Sequence, residues 1–419
     1  MECVVEDKDC LGTLIFLVYW PITQCEVENW GFAYLRSEGF DVQVYDLTFL
    51  LNKEAILKNP VDSKIKENYI HEINSYKELY LKLQETPPRT IFLDYIVHIS
   101  DITFQTAKLF RMLKKFNVRY CIVYSGALPQ SNIKDKTTKV NMLINRIKQV
   151  FDWHKLKNYI SGRVTRYLRK YTNIYPLPDK LFITIGSDAA NRYSKTYPRM
   201  KNRLVPINSY DYDNYLKYIN NNPSVNENTE KLCVFIDEGA THHPDFAIVG
   251  EEPLQEESYF HSMNRLFDII ELKTGLKVII AAHPRSSYEA MPEVFGGREI
   301  IKGKTIDLVA KSSMVVTHFS TAVSYAVLFT KPIMVVKTRE MINTGLAKSV
   351  DVMAESLGLV TVNIDDRNSF DKINFNFNCN EWLRNHYSQY MKKYIISEES
   401  KGLYTWEIVA GEIKKLNNG

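Results

Sequence analysis

Short apolar runs that each stop at a polar cluster and lead into a helix-like segment constrain this 419-residue chain more than any other feature. The stretch 278–331 shows the pattern most clearly. Val278-Ile279-Ile280 runs into Ala281-Ala282-His283-Pro284-Arg285, and Met314-Val315-Val316 runs into His318-Phe319-Ser320-Thr321-Ala322. Apolar runs this short, alternating with helical segments, predict parallel strands with both sheet faces covered. The N-terminal half repeats the pattern, with strands predicted at 13–19, 40–45, 90–95, 120–124 and 181–185 and one helix over 26–37 before Gly39. A polar, proline-containing stretch over 220–228 interrupts the series. Strands resume at 232–236, 277–281, 314–317, 333–336 and 359–362, with an amphipathic helix over 256–273. The chain is too long for one ordinary core. It therefore divides into two doubly wound α/β domains, 1–220 and 231–419, joined by a linker at 221–230. A helical tail carrying Trp382 and Trp406 is placed to pack back across both.

Composition narrows the class. At 45% hydrophobic and 24% charged the chain is that of a soluble globular protein, and a net charge of +4 does not by itself imply nucleic acid. No nucleic-acid reading module accompanies the basic residues, so no nucleic-acid partner is expected. Six scattered cysteines with no CxxC predict buried free thiols in a reducing cytoplasm. The apolar run 14–20 is too short to span a bilayer. The segment 134–170 differs from its surroundings, with eleven Lys or Arg against two Asp among interleaved apolar residues. Two readings stand: a solvated helical insertion, or a basic amphipathic surface in peripheral contact with the cytoplasmic membrane face.

In open α/β sheets ligands sit beyond the carboxyl ends of the strands, where helix N-termini offer free N–H groups. There His283, fixed in its turn by Pro284, can stabilise charge on a departing phosphate, and Arg285 adds a permanent cation. Ser320 and Thr321, with His318 beside them, can cap a helix and hold an anion together with its first N–H groups. Gly303-Lys304-Thr305 precedes a further helix and suits contact with a nucleobase or ribose; it lacks the glycine register of an ATP-binding P-loop. Asp237-Glu238-Gly239 and Asp245 end the first strand of the second half, where a carboxylate can deprotonate an acceptor hydroxyl. The neighbouring His242-His243 has no further spaced ligands, so no metal is expected. Trp20, Asp94 and Gly126 follow strand ends in the first half and are expected on the acceptor side.

The pairing of His283-Pro284 with Ser320-Thr321 resembles the HP and S-S/T motifs of bacterial sialyltransferases, and Asp237-Glu238-Gly239 spells their acidic motif. The resemblance spans about 233–336. In that family the acidic motif lies in the N-terminal domain; its place here, inside the second half, is more similar to Kdo transferases. The resemblance implies a GT-B fold, two Rossmann-type domains facing a cleft. It implies transfer of an acidic sugar (sialic, legionaminic, pseudaminic or Kdo type) from a CMP-sugar donor, without metal or further cofactor. The acceptor would be a surface glycan, lipid-linked glycan or protein. It assigns His283 and the hydroxyl pair to the donor phosphate, and the base to the carboxylates. The His-Pro turn and later serine cluster are also similar to CDP-glycerol glycerophosphotransferases. A non-catalytic glycan- or nucleotide-binding protein of the same fold is the remaining alternative.

Overall fold

The structure is a computed structural model. It describes residues 11–58, 64–96, 104–125, 128–129, scattered positions over 160–172, 174–184, 187–223, 230–241, 253–286, 288–370 and 380–418. Asp245, Gly126 and nearly all of 134–170 lie outside the described residues.

Two parallel sheets form the frame. The first has seven strands in the order β3-β2-β1-β4-β5-β6-β7: β1 (Gly12–Val18), β2 (Phe40–Asp46), β3 (Ile70–Glu72), β4 (Ile91–Asp94), β5 (Arg119–Tyr124), β6 (Lys180–Ile183) and β7 (Leu204–Pro206). The second has six, in the order β10-β9-β8-β11-β12-β13: β8 (Leu232–Ile236), β9 (Lys277–Ala282), β10 (Ile300–Lys302), β11 (Met314–Thr317), β12 (Ile333–Lys337) and β13 (Val362–Asn363). In each sheet the chain reverses its direction of winding beside the first strand, which opens a crevice between β1 and β4 and another between β8 and β11. β1 shows why these strands read as unbroken apolar runs. Leu14, Phe16 and Val18 enter one core cluster while Ile15 and Leu17 enter the other, so both faces are buried.

The strand expected at 359–362 is the short β13, and one expected helix is split. The helix expected over 26–37 is two helices, Gln24–Asn29 and Phe32–Ser37. They break at Gly31, which has φ +59° and lies against the indole of Trp406; a Cβ there would come within 2.5 Å of the ring. Only glycine satisfies both demands. The tail also divides. Its helix Glu381–Tyr390 and the following turn place Leu383, Tyr387, Tyr394 and Ile395 in the core cluster that holds the second sheet. The chain then crosses to the first domain. Asn208 donates to the carbonyls of Ser400 and Leu403 at 2.8 Å each and accepts from Ser397 N–H. The last helix, Thr405–Asn418, packs Trp406, Val409, Ala410 and Ile413 against the outer face of the first sheet. Residues from the far end of the chain therefore complete the first domain's core, outside the 1–220 range expected for it.

Helix Tyr210–Asn221 lies where the domains meet. Tyr215 and Tyr218 meet Phe329 edge-on at 5.0 and 5.7 Å, and Asn214 donates to both Asn29 Oδ1 and Tyr325 Oη at 3.3 Å. Among the described residues no helix is long and apolar enough to cross a membrane.

Candidate functional site

A cleft of about 560 Å³ runs between the domains, and the strand-end clusters of the second sheet form one wall. His283 and Pro284 follow β9, Gly303 and Thr305 precede helix Thr305–Lys311, and Ser320 and Thr321 follow β11; all line it. The parallel register makes this convergence necessary. Ile236 of β8 pairs with Ala281 of β9 and with Thr317 of β11, so the three strands end level and the residues beyond them share one edge.

His283 is half-buried, with its ring anchored at one nitrogen. Nδ1 accepts the Arg285 backbone N–H at 3.2 Å. In neutral imidazole the proton then resides on Nε2, which becomes the donor. Asp237 fixes the loop beneath it. This carboxylate is buried, accepts from Gly239 N–H at 3.0 Å, His283 N–H at 3.3 Å and Tyr288 Oη at 3.0 Å, and so ties the end of β8 to the loop after β9. Burial raises its pKa despite these donors. With both oxygens engaged, Asp237 is a scaffold for His283 more than a base.

Glu238 departs furthest from expectation. Its Oε1 accepts from Thr317 Oγ1 at 3.0 Å and from the N–H groups of His318, Phe319 and Ser320 at 3.1, 3.0 and 2.9 Å. It spans the crevice between β8 and β11 and fills with its own carboxylate the amide nest where a ligand anion was expected. The helix beyond it, Val323–Leu328, offers little more, because Val323 and Ser324 N–H already donate to the Ser320 and Thr321 carbonyls. Ser320 and Thr321 line the cleft, while these amides are already engaged. Burial pushes Glu238 up to about 7 against the lowering effect of its donors.

His318 is a core residue. It is fully buried; Nδ1 lies 2.7 Å from the Val336 carbonyl and Nε2 lies 3.0 Å from Tyr259 Oη. The carbonyl can only accept, so Nδ1 carries the proton and Nε2 accepts from the tyrosine. Burial lowers its pKa to about 4, and it stays neutral. Arg285 is not among the lining residues; it pairs with Glu26 of the first domain at 3.2 Å and so links the two domains. Lys304 is exposed at the start of its helix and is not among the lining residues. Trp20 and Asp94 are buried and likewise do not line the cleft; Asp94 accepts the Ile96 N–H at 2.9 Å, a local strand-end cap.

The opposite wall carries groups that the strand-end pattern does not reveal. Helix Tyr210–Asn221 presents Asp211, Asn214, Lys217, Tyr218 and Asn221 to the cleft. Their spacing of three and four residues marks one helix face, a signal present in the sequence but inconspicuous beside the polar linker. Asp211 is one carboxylate on this wall, and Glu28 of helix Gln24–Asn29 is another. Burial pushes Asp211 up to about 6, while hydrogen bonds with the Ser324 and Tyr325 side chains pull the other way. Lys217 is the single lysine or arginine among the described lining residues. Among the described residues no group of three or more His, Cys, Asp or Glu is arranged to hold a metal ion. A wider hollow of about 810 Å³ beyond β12 and β13 contains Arg265 and Arg339, but Asp365 pairs with the first at 3.1 Å and accepts the backbone N–H of the second at 2.7 Å.

No protein-family model matches the chain, and no curated protein does. Solved structures do. A glycosyltransferase of kitacinnamycin aligns over 96% of this chain and 98% of its own, at 9% identity and a TM-score of 0.51. A variant of the wall teichoic acid polymerase TagF, soaked with CDPG, aligns over 97% of this chain and 88% of its own, at 11% identity and a TM-score of 0.50. At such identities the likeness is one of fold, and it agrees with the strand orders of the two sheets: the chain has a GT-B-like fold, two Rossmann-type domains facing a cleft.

Proposed function

We propose that the protein is a glycosyltransferase that moves an acidic eight- or nine-carbon sugar from CMP to a hydroxyl acceptor on a surface glycan or protein. The observation that carries this reading is the anchored imidazole of His283, whose engaged Nδ1 places the ring proton on Nε2, on the cleft wall that also holds Ser320 and Thr321. That set suits a phosphate whose charge grows as it leaves. The acceptor oxygen attacks the anomeric carbon, the bond from that carbon to the phosphate oxygen breaks, and CMP departs with the electron pair. Asp211 takes the acceptor proton, and Lys217 is the cation for the sugar carboxylate. The second reading is transfer of glycerol phosphate from a CDP-linked donor. The fold shared with TagF, a wall teichoic acid polymerase whose structure was soaked with CDPG, favours it. Both reactions release CMP, so both use the same leaving-group site.

Nucleotide identity is the decisive test. In a thermal-shift panel of CMP, CDP, UMP, UDP and GDP, the cytidine nucleotides are expected to raise the melting temperature most, since a ligand at about 100 times its Kd adds about 2.7 kcal/mol. Larger shifts with UDP or GDP defeat the reading, and product analysis with either donor separates its two forms. An Asp211→Asn variant is expected to keep the CMP shift and to lose about 10²-fold in turnover. The wild-type acid limb near pH 6 should vanish with it, because a base pushed up to about 6 works only above that pH. An unchanged pH profile in the variant assigns the base elsewhere.

A further inference from the structure

A second, smaller hollow of about 250 Å³ adjoins the cleft. Glu28, Asn29, Asn214 and Lys217 line both, and Asn214 donates to Asn29 Oδ1 at 3.3 Å where the two meet. The hollow extends to the start of helix Thr405–Asn418, and its walls are aromatic: Tyr34, Tyr210, Tyr404 and Trp406. These walls are held rigidly. Trp406 donates Nε1–H to the Asn29 carbonyl at 2.7 Å and lies parallel to Tyr210, with ring centroids 6.3 Å apart and planes 9° apart. Gly31, also on the lining, leaves the indole the space that any side chain would take.

The polar groups define the occupant. Asp213 is spent, since its two oxygens accept from Thr405 N–H at 3.1 Å. Glu28 accepts from the Gln24 side-chain amide at 3.0 Å and Glu407 from the Tyr404 N–H at 2.9 Å, each through one oxygen, so each has a second oxygen to offer, against Lys217 as the one Lys or Arg among the described lining residues. Two acids to one base disfavour an anion. Tyr34 and Tyr404 are half-buried and can offer ring surface, with the buried Trp406 behind them; such surface with a few acceptors suits a ring that is apolar on its faces and carries hydroxyl donors at its edge. The volume admits about one such ring.

We infer that this side pocket is a binding site for one neutral pyranose ring, a sugar unit of the acceptor held next to the cleft that carries Asp211. Its role as acceptor rests on the transferase reading; the sugar site does not. Saturation-transfer NMR on the full chain tests it, with methyl glucoside, methyl galactoside and N-acetylglucosamine as probes and methyl glucuronide, an acid outside the donor class, as the anionic control. At least one neutral probe is expected to bind, and Tyr404→Ala and Glu28→Gln are each expected to weaken it tenfold or more while the CMP thermal shift stays unchanged. Glu28 is exposed on its helix, so its variant keeps the test valid if the tyrosine variant misfolds. Equal binding in both variants, no binding by any neutral probe, or equal binding of the anionic sugar overturns the inference. Loss of the CMP shift from the wild-type protein with sugar binding intact defeats the transferase reading alone.

Discussion

Replacing His283 with alanine is expected to lower turnover about 10³-fold and leave the protein folded. A pre-aimed donor to a developing oxyanion is typically worth about 10²–10³ in rate, and His283 adds the option of a full charge if it protonates as the phosphate leaves. The fold should survive, because the loop is held by other groups. Asp237 accepts the backbone N–H of residue 283 and the hydroxyl of Tyr288, neither of which the substitution removes. The ring itself is half-buried at the cleft wall and fills no core space. His283→Gln makes the test sharper. Its amide keeps an uncharged donor at similar reach, so it should recover about tenfold over alanine if donation matters and nothing if protonation is the whole effect. The measurement is CMP release from a CMP-activated donor, with thermal unfolding as the fold control. Full turnover in a folded alanine variant removes His283 from the phosphate site.

The strand ends were legible in the sequence because parallel sheets impose a simple rule. An apolar run stops where the strand leaves the core, and the next residues stand at one edge of the sheet. His283, Ser320 and Thr321 were placed by that rule alone. The rule says nothing about where a side chain turns next. His318, Asp237 and Glu238 satisfy the same pattern, yet the first enters the core, Asp237 spends both oxygens on neighbouring loops and Glu238 spends its Oε1. Which donor takes which lone pair depends on strands adjacent in space and distant in sequence, and a single chain read in order does not reveal it. The three-residue strands β3, β7 and β10 escaped for another reason: so few residues show no period. The polar face of helix Tyr210–Asn221 was readable, but it resembles any solvated helix until a second domain is set against it.

Glu238→Ala is expected to cost about 3 kcal/mol of stability and to weaken CMP binding, whereas Glu238→Gln should do less of both, its remaining cost being the buried amide N–H groups. The alanine leaves the Thr317 hydroxyl and three backbone N–H groups without their shared acceptor, and a stranded buried donor costs about 1–3 kcal/mol. Relief of a buried carboxylate offsets part of the sum. Glutamine keeps an oxygen where Oε1 lies and places its amide where Oε2 lies, an oxygen that is buried with no hydrogen-bond partner among the described residues. The pH dependence gives an independent check. Glu238 is raised from an ordinary 4.5 to about 7 in the folded chain, chiefly by burial. Its folded form therefore holds a proton that the unfolded chain has released. The resulting stability is fully present below about pH 4.5 and is lost as pH rises through about 7. Asp211 and Asp213, raised to about 6 and about 7, act in the same direction. Melting temperature should thus fall between about pH 5.5 and about pH 8 in the wild-type protein, and fall less in Glu238→Gln, which has no proton to lose. A melting temperature that rises over that interval, or an equal fall in the glutamine variant, would mean that Glu238 is ionised throughout. The amide nest at the β8–β11 crevice would then be permanently filled by a charge, and a donor phosphate would have to bind against it.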